Sequence, residues 1–421
     1  MIIRKNFKRD CGENDDRLLS KDYVLVMLGA TGQLLMNHFF LAAMPLYINK
    51  LGGTTLQAGM IMTVYALVAL VMRPVSGILS DKFGRVKLMV AGTLICAVTC
   101  VLLGMVSFFP LLMVIRALNG AGFGLLSTCA GAAVADIVPK HRLTEGIGIY
   151  GMYNTIAQAV GPGIALALIA GDAISDYRRM FYITAVLCAV SAFANGGVSY
   201  ERRRKKQAGS YSDEASAINE QSMDVTGSEP LPKAIFGFEY AVFAPVAVMM
   251  VLYFGIAGLM SFMSPFARWK GIDNPGLYYA VSAAGIFFSR VVFGKIADKR
   301  GMDIVIIPGM AVLAVCLALL PSINSLAALA ALALPIGISQ GAVVPTFNSM
   351  LFRRCSPARR GTASGAYFVA IDLGFAIGAP LLGALADAKD YGYIFFAAAL
   401  FVALALILYL LIASEKRYNA S

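Results

Sequence analysis

Long apolar stretches alternate with short polar breaks along the 421-residue chain. Each stretch is close to the roughly 20 residues that cross a hydrocarbon core as a helix. Twelve spans are predicted, at residues 22–49, 55–79, 88–108, 111–137, 146–170, 179–199, 240–266, 276–297, 303–321, 324–350, 361–386 and 391–414. The first 21 residues are charged and hold no separate apolar segment, and the first span is too long for a cleaved signal sequence, so it is expected to stay as an anchor. One long polar break separates spans six and seven. It opens on the basic run 202–206 and continues in Ser, Asp, Glu, Asn and Gly to Pro230 and Pro232, a composition expected to be disordered. The expected organisation is a tail at 1–21, a six-helix bundle at 22–199, a linker at 200–239, a second six-helix bundle at 240–414 and a tail at 415–421. The fold class is all-α integral membrane.

Composition agrees: 59% hydrophobic and 14% charged residues, with mean hydropathy +0.73, lie far from the soluble norm. The formal charge of +11 invites a nucleic-acid reading, but its placement argues against one. With a cytoplasmic N-terminus, twenty-six Lys and Arg fall on that side and six on the other, at Lys50, Arg178, Arg179, Arg268, Lys270 and Lys389. This positive-inside bias predicts a multi-pass protein of the plasma (inner) membrane with both termini cytoplasmic. The seven cysteines include no C-x-x-C pair and read as small packing residues; no metal site is expected.

The polar breaks hold an internal repeat. Residues 73–88 read RPVSGILSDKFGRVKL and residues 290–305 read RVVFGKIADKRGMDIV. Arg73, Gly77, Asp81, Lys82 and Gly84 fall on Arg290, Gly294, Asp298, Lys299 and Gly301, each 217 positions on. Gly120 and Gly124 fall on Gly337 and Gly341, and after one inserted residue Pro162 falls on Pro380. Register held this long marks a duplicated unit. Two six-span copies are expected to be related by an axis along the membrane normal.

These motifs resemble the major facilitator superfamily, over essentially the whole chain except the first 21 residues and the linker. Gly77-Ile-Leu-Ser-Asp81-Lys82-Phe-Gly84-Arg85 is similar to the family's loop signature between spans two and three, with a degraded copy at Gly294, Asp298 and Gly301. Arg116-Ala-Leu-Asn-Gly120 resembles its span-four motif, and Gly161-Pro162-Gly163 its antiporter motif, although Ala165 stands where a second glycine is usual. The resemblance implies two pseudo-symmetric bundles, alternating access, and a signature-loop charge cluster that latches the bundles, with Asp136 as a partner for Arg85. Gly77 is expected to let a neighbouring helix approach, and Gly84 to form the tight turn.

Candidate chemistry lies deeper. Asp372 is the one acid well inside a span; it is 12 positions past Arg360, or ~18 Å at the helical rise. An ionised acid at that depth costs about 3 kcal/mol or more, so it must be paired, protonated or facing water. Its repeat mate is Asn154. Arg116 sits in the outer half of span four and cannot give up its charge. Gln33 and Asn37 share a face of span one beside His38, which titrates near neutral pH when unperturbed. Asn154 and Gln158 form a second same-face pair, and Gln340 adds polarity to span ten. These groups are expected to line a central cavity, with Asp372 as proton-coupling or substrate-cation site; a structural acid is the alternative. Arg73 and Arg290 are expected to snorkel or to serve structure. Span one lacks the acid found in some multidrug/proton members, which argues against a cationic-drug specificity.

The expected function is secondary active transport of a small organic solute, by proton-coupled efflux. Uptake by symport of a sugar, organic acid or metabolite is the first alternative, and a non-transporting sensor the second. No enzyme is expected, since no nucleophile–base constellation, Walker lysine motif or H-E-x-x-H is found. The partners expected are the lipid bilayer and the solute, with no cofactor beyond a proton gradient, no nucleic acid, and a functional monomer.

Overall fold

A computed structural model describes residues 19–139, 143–203, 234–235, 238–354 and 360–414. Twelve long helices run through them. The first six are α1 Lys21–Lys50, α2 Thr55–Phe83, α3 Arg85–Met105, α4 Phe109–Ile137, α5 Leu143–Leu168 and α6 Ile174–Gly196. The second six are α7 Tyr240–Trp269, α8 Gly276–Arg300, α9 Asp303–Leu319, α10 Leu326–Arg353, α11 Arg360–Ala388 and α12 Tyr391–Leu408. Among the described residues eleven helices are long and apolar enough to cross a membrane, and α5, of 26 residues, completes the series. Helices extend past the predicted spans into polar residues: α3 begins at Arg85 instead of 88, and α6 at Ile174 instead of 179. The starts have local causes. Thr54 and Gln57 form a capping box on α2, and the side chains of Ser20, Ser325 and Asp390 cap α1, α10 and α12. Large apolar side chains face outward, with Phe193 83% and Ile78 74% exposed, which suits lipid and not water.

The duplication is visible in the packing. A Cβ on Gly120 would meet the Tyr65 carbonyl at 2.4 Å, and one on Gly337 the Ser282 carbonyl at 2.0 Å. Gly124 lies against Met72 and Ala69; Gly341 lies against their repeat mates, Ser289 and Ile286. Both copies end the second helix of the unit on a glycine in the left-handed region, Gly84 at φ +90° and Gly301 at φ +95°, where a side chain would be strained.

The expected linker is structured at its described ends. Residues 201–203 are helical: Glu201 accepts from the Arg85 N–H at 2.6 Å, and Arg203 pairs with buried Asp22. A two-residue antiparallel pairing, β1 Ala234–Ile235 with β2 Phe238–Glu239, precedes α7. Capping and ion pairing order the first end, and backbone strand pairing the second. Residues 204–233 lie outside the described residues.

The bundles meet where α2 packs on α11, α5 on α8 and α1 on α7. One end of this seam, where α1, α5, α7 and α11 finish, is shut. Gly59 of α2 fits against Ala379 and Pro380 of α11, and Gly383 of α11 fits against Thr55 and Leu56 of α2. Asp387 caps α2 across the seam, accepting from the N–H groups of Thr55 at 2.8 Å and Leu56 at 2.6 Å. Asn49 donates to the Tyr391 hydroxyl at 2.6 Å. The opposite end carries the signature loops and most of the basic residues. There a Cβ on Gly77, Gly131, Gly294 or Gly365 would meet nothing within 4 Å among the described residues. Among the described residues the expected close approach at Gly77 is not made, and the bundles touch at the far end and part toward the basic end.

Candidate functional site between the bundles

Asp372 sits on α11 facing α2, with its side chain 11% exposed, and its partner is Arg73. Arg73 Nε donates to Oδ2 at 2.8 Å, and Nη2 is 3.5 Å from Oδ1. Nη1 donates to the Ser127 hydroxyl at 3.3 Å, and the guanidinium lies 4.3 Å from the Phe368 ring centre and 5.9 Å from that of Phe123. Of the two roles expected for Arg73, snorkelling and structure, the ion pair fits the structural one. Arg73 stands seven residues before Ser80, the last residue of the span, ~10 Å in at the helical rise, and its guanidinium turns to Asp372 instead of reaching for the boundary. The pair spans the two bundles, one charge on each.

Arg116 is 2% exposed. Nη1 donates to Asn119 Oδ1 at 2.6 Å, Nε has no partner, and no carboxylate contacts it among the described residues. The Tyr65 and Phe40 rings, with centres 4.2 Å and 5.1 Å from the guanidinium, supply their negative faces instead. The Tyr65 hydroxyl donates to Asn37 Oδ1 at 3.0 Å, so Asn37 orients the ring that holds Arg116. Gln33, 1% exposed, donates to the Phe123 carbonyl at 3.1 Å. Gln33 thus braces α1 on α4 inside the first bundle and does not line the central space as expected.

The central space itself is a cleft between α5 and α8, lined by His38, Gln158, Pro162, Tyr278, Tyr279 and Gln340 among others. Its volume is about 30 Å³, room for a water or two. Gly161 lets α5 press on His38, where an added Cβ would come within 2.7 Å. A Cβ on Gly163 would meet nothing within 4 Å. Of the polar residues expected to line a central cavity, three, His38, Gln158 and Gln340, line this cleft, which is too small here for a solute.

At the basic end Arg85 pairs with Asp136 and donates to the Ala132 carbonyl at 2.8 Å. Both residues belong to the first bundle, on adjacent α3 and α4, so this pair does not join the bundles. The side chains of Asp81, Asn154 and Asp298 lie outside the described residues. Among the described residues a second ion pair crosses the seam, at the far end. Asp172 accepts from Arg268 of α7 at 2.5 Å, from Tyr177 at 2.8 Å and from Lys50 at 3.1 Å. Partial burial pushes the Asp172 carboxyl up, but the hydrogen bonds from Arg268, Tyr177 and Lys50 outweigh it and hold the group below the ordinary carboxylate range.

Two repeated bundles, a seam shut at one end, and a charge pair across its middle agree with a wider comparison. The Major Facilitator Superfamily profile matches residues 26–379 and 305–420. The chain belongs to this superfamily. The staphylopine export protein of Staphylococcus aureus is 21% identical over 391 residues, covering 92% of this chain and 94% of that one. The quinolone resistance protein NorA of the same species is 24% identical over 382 residues, 90% and 92% of the two chains. A solved bacterial homologue of the human lysosomal transporter Spinster superposes with a TM-score of 0.73 at 16% identity, covering 93% of this chain and 96% of the other. That likeness bears on the fold alone. The superfamily relatives make this chain a multi-pass membrane transporter.

Proposed function

We propose that this superfamily member exports a small organic solute in exchange for protons, with Arg73–Asp372 as the coupling pair. The observation that carries the reading is the cross-bundle position of that pair. Taking the basic end as cytoplasmic, the solute enters from the side where the bundles part. A proton reaching Asp372 removes the carboxylate charge and frees α11 from α2, while Ser127 and the Phe123 ring keep Arg73 on the first bundle. Re-pairing after the proton leaves draws the helices together again. Arg116, held by rings and an amide, keeps a fixed positive potential beside this step. The staphylopine export protein's likeness supports the outward direction.

The test is flux in proteoliposomes with an imposed pH gradient of either sign, across a panel of radiolabelled solutes. Export predicts solute movement against the proton flow, and Asp372→Asn abolishing gradient-driven movement while leaving insertion intact. Solute moving with the protons would favour uptake, and an Asp372→Asn variant with full gradient-driven flux would remove the coupling role.

A further inference from the structure

The two seams between the bundles are repeat-related, and they are chemically unequal. At the α2–α11 seam Arg73 meets Asp372. At the α5–α8 seam the register puts Arg290 where Arg73 was and Asn154 where Asp372 was. The cation is kept and the acid is replaced by an amide. Arg290 Nε is buried without a hydrogen-bond partner, and among the described residues no carboxylate contacts the group; its electrostatic neighbours are Tyr367 and Tyr253. Taken with Arg73 and Arg116, three arginines stand deep in the spans against the single carboxylate of Asp372. The middle of the protein therefore holds two positive charges more than it neutralises.

Such a surplus in a low-dielectric site repels organic cations and is relieved by an entering anion. The cleft lies on the same two helices as Arg290 and Asn154, although Arg290 itself does not line it. Ile286, Ser282 and Tyr279 line it from α8, one to three turns before Arg290, and helix side chains lean toward the N-terminal turn. Gln158 lines it from α5, one turn past Asn154. Gln158 and Gln340 line the cleft with amide groups that can donate to the remaining lone pairs of a bound acid.

We infer that the transported solute is an aromatic or amphipathic carboxylate, and that its acid group takes, opposite Arg290, the place that Asp372 takes opposite Arg73. This rests on the transport reading above and names the substrate class for the same central space. The cleft's small volume in this conformation means that binding must part α5 from α8.

The test uses the full-length chain in nanodiscs of zwitterionic lipid, with three probes of equal size: 2-naphthoate, 2-naphthamide and 2-naphthylmethylammonium. Equilibrium binding is read from dose-dependent thermal stabilisation. The carboxylate is expected to bind at least about tenfold tighter than the amide or the cation, the effect of one charge-assisted hydrogen-bonded pair. Arg290→Gln removes that preference, and Arg290→Lys retains part of it. If Arg290→Gln does not fold, Asn154→Asp serves instead, since it supplies the missing acid within the chain and displaces the probe's carboxylate. An equal response to all three probes (none included), a preference for the cation, or a carboxylate preference that survives Arg290→Gln, or Asn154→Asp where that variant serves instead, overturns the inference. Binding is measured without a gradient, so its failure leaves proton-coupled export standing, and failed gradient-driven flux leaves the binding result standing.

Discussion

Removing one charge from the Arg73–Asp372 pair should destabilise the protein far more than removing both. The side chains are 12% and 11% exposed, so solvent screens the pair little. Deleting one partner of a buried ion pair costs about 3–5 kcal/mol, because the survivor is left uncompensated. In Asp372→Asn the survivor is Arg73, which keeps its Ser127 hydrogen bond and its place between Phe368 and Phe123. Contacts of that kind return about 1 kcal/mol, so the expected loss is about 2–4 kcal/mol. Arg73→Gln should cost less than Asp372→Asn, since a stranded carboxylate can neutralise itself by taking a proton and a guanidinium cannot. The double variant Arg73→Gln/Asp372→Asn leaves two amides within reach of each other and should recover to within about 1 kcal/mol of the parent. Unfolding in mixed micelles, followed by the intrinsic fluorescence of the single tryptophan, measures the cycle, and proteoliposome flux measures function on the same four proteins. Stability should return in the double variant, and gradient-driven transport should not. Additive single losses would show that the two charges do not act on each other and would refute the argument.

At the far end, the Asp172 carboxyl is held below its ordinary range, so its contribution to the closed seam is fully present above the unfolded value near 4 and is lost only as pH falls below that. Spin labels on the ends of α1 and α7 should therefore report the same distance from pH 7 to pH 5, whereas Asp172→Asn should lengthen it at both; widening near pH 6 would contradict the assignment. Gly59→Leu, forced against Ala379 and Pro380, should shift the population away from the far-end-closed state, read as increased labelling of cysteines placed on that side. Gly120→Ala should lower the unfolding midpoint, because its Cβ would press on the Tyr65 carbonyl at 2.4 Å, while Gly131→Ala in the same helix should leave the midpoint unchanged.

The twelve spans and the duplication were legible because both rest on long-range statistics of the chain: apolar run length and a register sustained over ninety residues. Asp372 was legible for the same reason that it is costly, as a lone acid in an apolar run. Its partner was missed through a local rule applied to Arg73, although the same rise arithmetic puts Arg73 ~10 Å inside its own span. A signal was there: one intramembrane acid needs one cation at matching depth on a facing helix. Which helices face each other is set by packing, however, and that α2 meets α11 is not written in either span. The same ignorance assigned Arg85–Asp136 to a cross-bundle latch, when α3 and α4 are neighbours in one bundle. Asp172 carried no signal at all, since an acid in an outer loop is unremarkable until Arg268 and Lys50 arrive beside it.

The asymmetry of the repeat carries the functional argument further than the repeat itself. A perfectly duplicated transporter would hold two equal cross-bundle pairs, and protonating either would be equivalent. Here one seam has a complete pair, and the repeat register gives the other a cation, Arg290, with an amide, Asn154, in place of the acid. Under the proposed function coupling and recognition are divided: the α2–α11 seam would respond to protons through Asp372, and the α5–α8 seam to the solute through Arg290. Because both seams join the same two bundles, closing one constrains the other, and this is the differential interaction an exchanger needs if proton and solute are to alternate. Restoring symmetry by Asn154→Asp should then do more than block a solute. It should leave a protein with two proton-sensitive seams, whose bundle opening, followed by spin-label distances, responds to pH without solute and no longer responds to solute at all.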